Sequence, residues 1–192
     1  MVMKIVGLAG RPGSGKSAVA CALATDPAVV WIDLDQVAWE AYAAGTETFH
    51  RVVDRFGEEV VGDDGEIDRG ELAVRVFLDA DAKSDLEAIV HAAIVVRLKA
   101  LCTAHRERGT QVLLVEGALL TRSPHVDRSI FDAILWLDVP DAVREERLGA
   151  EGRADHAARG DDVLPGSDAV VIDGDGTVDE VAERIRAKMA EL

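Results

Sequence analysis

Cysteine is scarce: only Cys21 and Cys102 occur in 192 residues, in unrelated segments and without metal-ligand spacing. That excludes a disulfide framework or a structural zinc centre, and a reducing cytoplasm is the expected setting. Basic charge is short as well, with 21 Lys and Arg against 36 Asp and Glu, a formal net charge of −15. A chain this acidic is not expected to grip a nucleic-acid backbone, so a phosphorylated ligand has to meet locally placed positive charge. No apolar run approaches the ~20 residues of a membrane span, and the short apolar run near Met1 meets glycines too soon for a signal sequence. A soluble protein with no membrane partner is expected. Internal repeats and low-complexity stretches are also missing.

What remains is globular composition, 48% apolar and 30% charged, in a length suited to one domain or one domain with an insert. Short β-branched runs alternate with helix-period segments. The expected strands are 4–9, 28–33, 111–116, 133–139 and 169–173. Each is nearly continuous in apolar residues, as suits strands covered on both faces. This predicts an α/β fold, a five-stranded parallel sheet covered by helices. Between the second and third strands the pattern is helical, which reads as an all-helical insert over 38–107 within a core of 1–37 and 108–192. Ser84 and Glu87 make a capping box that predicts a helix start. Leu86, Ile89, Val90, Ala93, Ile94, Leu98 and Leu101 follow at helical spacing, and Gly109 is the stop. Thr177 and Glu180 repeat the device before the last helix.

Gly10-Arg11-Pro12-Gly13-Ser14-Gly15-Lys16-Ser17 satisfies G-x-x-x-x-G-K-[ST] and lies between a strand and a helix, where the phosphate-binding loop requires it. The glycines let backbone N–H groups converge on phosphate oxygens, and the following helix adds its positive end. Lys16 is placed to neutralise β- and γ-phosphates, and the Ser17 hydroxyl to ligate Mg²⁺. Gly10, Pro12, Gly13, Ser14, Gly15, Lys16 and Ser17 are therefore the expected ATP site.

The loop does not say where the γ-phosphate goes. Asp33 and Asp35 end the second strand at the carboxyl edge of the sheet, where open α/β sheets bind ligands. Asp33 can take a proton from an acceptor hydroxyl, or either residue can simply cap the next helix. Glu116 ends the third strand, as a carboxylate orienting Mg²⁺ or as a solvated terminus. Arg144, Arg147, Arg153 and Arg159 follow the fourth strand. Arginines on a flap over 144–163 can close on a transferring phosphoryl group, or pair with nearby acids on the surface.

The chain resembles the dephospho-coenzyme A kinases over essentially its whole length. GLAGRPGSGKSAVA carries the loop; WIDLDQVAWE matches V-I-D-A-D-x-I-A-R; FGEEVVGDDGEIDRGELAVRVF matches F-G, D-G, D/N-R-x-x-L and V-F. LEAIVHAAI matches L-x-x-I-x-H-P, and SDAVVIDGDGTVDE is similar to A-D-x-V-I-x-N-x-G. The resemblance implies transfer of the ATP γ-phosphate to the ribose 3′-hydroxyl of dephospho-coenzyme A, with Mg²⁺. Asp33 would be the base, Lys16, Arg147 and Arg153 would stabilise the phosphoryl group, and Gly174 would line the adenine loop. Asp35, Arg69, His91 and Glu116 would serve the acceptor, with the helical insert as its binding domain. Read from the residues alone, Arg69 can equally pair with Asp68 or Glu66, and His91 can be a core histidine beside Ile94. The chain departs from the pattern at Glu116-Gly-Ala-Leu-Leu-Thr-Arg122, at Ala92 and in the lid. Those departures leave two other readings open: another small-molecule kinase of the same fold, or a nucleotide-binding relative without kinase activity.

Overall fold

The computed structural model describes residues 2–77, 79–117, 119–122, 126–153 and 164–192. The chain runs β1 (Lys4–Gly10), α1 (Lys16–Leu23), β2 (Val29–Asp33), α2 (Leu34–Ala41), α3 (Glu47–Phe56), α4 (Arg69–Phe77) and α5 (Ala80–Glu107). It continues through β3 (Val112–Glu116), the short α6 (Leu119–Arg122), β4 (Ala133–Asp138), α7 (Asp141–Ala150), β5 (Val170–Asp173) and α8 (Val178–Ala190). All five strands are parallel, in the order β2-β3-β1-β4-β5. The five expected strands are all present, each within a residue or so of its expected ends. The continuous apolar runs of the central strands β1, β3 and β4 are explained by burial on both faces, while the edge strands β2 and β5 are only partly covered, Val171 standing exposed.

Two compact units divide the chain, Met1–Leu34 with Cys102–Leu192, and Asp35–Leu101. In the first, Val6, Leu8, Leu114, Leu135 and Leu137 from the sheet pack with Val19 and Leu23 of α1 and Val181 and Ile185 of α8. Full burial of a leucine is worth about 1.5–3 kcal/mol, so this central cluster dominates the unit's stability. In the second, Val52, Phe56, Val60, Ile67, Leu72, Ala82 and Ile89 form a separate core.

Helix ends follow local chemistry. The Thr177 hydroxyl accepts from the Glu180 N–H while the Glu180 carboxylate accepts from the Thr177 N–H, so the expected capping box of α8 is present. Gly109, at φ 75°, follows α5 and donates to Arg106 O, as expected of a stop. The expected start of α5 is wrong. The helix begins at Ala80 rather than Ser84, because Asp79 Oδ1 accepts from the N–H groups of Asp81 (2.9 Å) and Ala82 (3.0 Å). A carboxylate one turn earlier satisfies the orphan donors first. Among the described residues no helix is long and apolar enough to cross a membrane.

Candidate active site

The turn after β1 is built by its glycines. Gly13 and Gly15 sit at φ 78° and 85°, and Gly15 is the N-cap of α1. A Cβ on Gly10 would stand 2.8 Å from Leu137 O and one on Gly13 2.8 Å from Arg144 O, so both positions also need the space. Ser14 is buried, with its N–H on Arg11 O (3.1 Å) and its Oγ unpartnered among the described residues. Its side chain faces the would-be Cβ of Gly10 rather than open solvent. Lys16 Nζ donates to Arg11 O at 3.2 Å. This is the curled backbone and poised amine that a triphosphate requires.

Strand register supplies the carboxylates. Asp33 pairs in register with Glu116, and Glu116 with Leu8, two residues before the loop begins at Gly10. Registered neighbours on parallel strands point to one face, about 4.8 Å apart. Asp33 and Glu116 therefore share one edge with the phosphate-binding loop. Glu116 is only 5% exposed, and the Ser17 hydroxyl donates to its Oε2 at 3.2 Å. A buried carboxylate needs such compensation. Two hard oxygens together suit Mg²⁺, which typically takes one or two protein oxygens and completes its shell with water and phosphate. Among the described residues no group of three or more His, Cys, Asp or Glu could hold a metal by itself.

Of the flap expected over 144–163, residues 144–153 are described. Residues 144–150 belong to α7, and Arg144 is buried rather than mobile on the surface. The cause is its partners, Pro12 O and the Asp141 carboxylate. Arg147 reaches the loop, with Nη1 on Ser14 O (3.3 Å) and Nη2 on Gly176 O (3.5 Å). Arg153 is held in an ion pair with Glu151 at 3.3 Å. Arg159 and the rest of 154–163 lie outside the described residues. Gly174 is buried, donates to Asp138 O at 2.7 Å, and would put a Cβ 2.6 Å from Val139 Cγ2. Only glycine lets this loop lie so close to β4. Arg184 Nη1 ties it further, through the carbonyls of Asp173 and Asp175.

In the Asp35–Leu101 unit, a cleft of about 510 Å³ is lined by residues that include Gln36, Trp39, Tyr42, Glu66 and Arg69. The Arg69 guanidinium lies 4.1 Å above the Trp39 ring. Burial raises the Tyr42 phenol pKa; Arg69, by charge and hydrogen bond, opposes this, while Asp35 adds to it. Asp35, Tyr42 and Arg69 are thus brought together. His91, half-buried on α5, is not among the cleft's lining residues. Trp39 and Tyr42 escape sequence reasoning because aromatic residues on a short amphipathic helix, or just past its end, look like core. Arg144 is among the arginines the sequence offers for a flap, but its buried place on Pro12 O has no local signal, because only the β1–β4 adjacency brings α7 to the loop.

A family model described as dephospho-CoA kinase matches residues 4–158. A dephospho-CoA kinase of Geobacter sulfurreducens is 36% identical over 197 residues, covering 95% of this chain and 95% of its own. One from Corynebacterium jeikeium is 35% identical, covering 95% and 96%. A solved structure from Thermus thermophilus, at 24% identity, superposes with a TM-score of 0.72 over 100% of this chain and 99% of its own, which speaks for the fold.

Proposed function

The chain belongs to the dephospho-CoA kinase family, and from that premise we propose how its residues carry the reaction. The reaction is ATP-dependent phosphorylation of the ribose 3′-hydroxyl of dephospho-coenzyme A, the last step of coenzyme A synthesis. Asp33 accepts the hydroxyl proton as that oxygen attacks the γ-phosphorus in line. The new O–P bond forms as the bond to the β,γ-bridging oxygen breaks, and ADP departs. Lys16 and the N–H groups of Gly13 and of 15–17 hold the β- and γ-phosphates, the Ser14 N–H being turned to Arg11 O. Ser17 and Glu116 would hold Mg²⁺, which when bound would offset the negative charge of the phosphates. Arg147 turns from Ser14 O toward the transferring group, and Arg153 joins it only by leaving Glu151. Gly174 keeps the 173–176 loop close enough to β4 to line the adenine side.

Arg69, with its guanidinium over the Trp39 ring and a hydrogen bond to Tyr42, offers its remaining N–H donors to acceptor phosphates. Asp35 and His91 shape the acceptor side, with the Asp35–Leu101 unit as the acceptor-binding part. Two unpaired cysteines, Cys21 exposed and Cys102 buried, suit a reducing cytoplasm.

The observation that carries this reading is the register of Asp33 with Glu116, together with the Ser17 contact to Glu116. It supports a base and a metal-orienting carboxylate at the edge where the triphosphate loop begins. The test is ATP consumption by purified protein offered dephospho-coenzyme A, nucleoside monophosphates and small sugars in parallel with Mg²⁺. Turnover with dephospho-coenzyme A is expected. ATP binding without turnover on any acceptor would sink the kinase reading, and turnover on another acceptor alone would refute the substrate.

A further inference from the structure

Arg144 is 2% exposed, more buried than any other charged side chain among the described residues. Its Nε donates to Pro12 O at 2.9 Å and its Nη1 to Asp141 Oδ1 at 2.6 Å. The same carboxylate oxygen takes Arg11 Nη1 at 2.8 Å. Two guanidinium groups, one from the loop and one from α7, therefore share one acid. Against Gly13, the Arg144 carbonyl and Leu148 Cγ stand 2.8 and 2.9 Å from the place a Cβ would take. This side of the loop is filled by α7.

We infer that Arg144 is a positioning residue for the phosphoryl donor, acting through the Pro12–Gly13 peptide. A trans peptide is planar, with its C=O and N–H pointing in opposite directions. Among the described residues no peptide bond is cis. Drawing the Pro12 carbonyl onto α7 therefore turns the Gly13 N–H away from α7, toward the side that receives phosphate. The planar guanidinium suits the task, since one edge takes the carbonyl while another is locked by Asp141. A lysine amine holds no such fixed pair of directions. Stability alone does not explain the choice, because an apolar side chain of similar volume fills such a space without burying a charge.

The inference rests on the loop being the ATP phosphate site, which calorimetric titration of the wild-type protein with ATP tests separately. With that binding in hand, Arg144→Met keeps the volume and removes both donors. It is expected to weaken ATP binding about tenfold and to raise the KM for ATP in step. The affinity for adenosine, which has no phosphate, and the KM for dephospho-coenzyme A should stay unchanged. A purely structural role would lower the melting temperature and leave the ratio of ATP to adenosine affinity as in the wild type. Arg144→Lys, which keeps one donor, should recover part of the loss. Wild-type ATP affinity in folded Arg144→Met overturns the inference; if that variant does not fold, wild-type affinity in Arg144→Lys does so.

Discussion

Asp33 and Glu116 occupy matching positions on neighbouring strands, yet their surroundings differ, as the separate tasks proposed for them require. Glu116 is buried with the Ser17 hydroxyl on its Oε2, whereas Asp33 is half-buried at the junction of β2 and α2. A carboxylate that must meet an incoming substrate needs that access; one that orients a metal does not. Asp33→Asn removes a proton acceptor and keeps the shape. It should lower kcat by about 10²–10⁴-fold with ATP affinity nearly intact in a direct titration. Glu116→Gln should instead raise the Mg²⁺ concentration needed for half-maximal rate. Lys16→Ala should lower turnover about a hundredfold or more and, unlike Asp33→Asn, weaken ATP itself. A near-normal rate in Asp33→Asn removes it as the base.

Elements show where the sequence was legible. The central strands β1, β3 and β4 were readable because burial on both faces leaves a nearly unbroken apolar run, the half-covered edge strands β2 and β5 because their β-branched runs are bounded by turns, and α8 because its capping box is purely local. The start of α5 was not, since Ser84 and Asp79 are competing caps one turn apart and the carboxylate wins two donors. The phosphate-binding loop was legible residue by residue, while its support from Arg144 and Asp141 depends on strand order and has no local signature. The α8 cap also sets a pH dependence. Hydrogen bonds from the Thr177 N–H, then its hydroxyl, hold the Glu180 carboxyl below its ordinary 4.5, with Arg184 assisting. A carboxyl depressed in the folded state stabilises fully above its unfolded pKa and loses that contribution as pH falls through the folded value. Thr177→Ala should therefore lower stability at pH 7 by about 1 kcal/mol in urea denaturation. Its deficit against wild type should shrink at pH 3, as the Glu180 part of the cap is lost in both. An undiminished deficit at pH 3 would mean that the carboxylate adds nothing to the cap.

For the molecule as a whole, the two units carry different sets of candidate residues. The phosphate-binding loop, Asp33, Glu116, Arg147 and the 173–176 loop all belong to Met1–Leu34 with Cys102–Leu192, whose core is the sheet. The cleft with Trp39, Tyr42 and Arg69 belongs to Asp35–Leu101, which has its own smaller core. If the first unit serves the nucleotide and the second the acceptor, each ligand should leave its own footprint in amide hydrogen exchange, because a bound ligand suppresses local opening where it makes contact. ATP should slow exchange over 10–17 and 173–177. Dephospho-coenzyme A added alone should slow 36–43 and 64–69, where the cleft's aromatic and guanidinium groups lie. Arg69→Ala should erase the second footprint and leave the first, because Arg69 lies outside the nucleotide unit. A dephospho-coenzyme A footprint confined to the nucleotide unit would overturn this division, and with it the role of Arg69, while leaving Asp33 and the phosphate-binding loop as they stand.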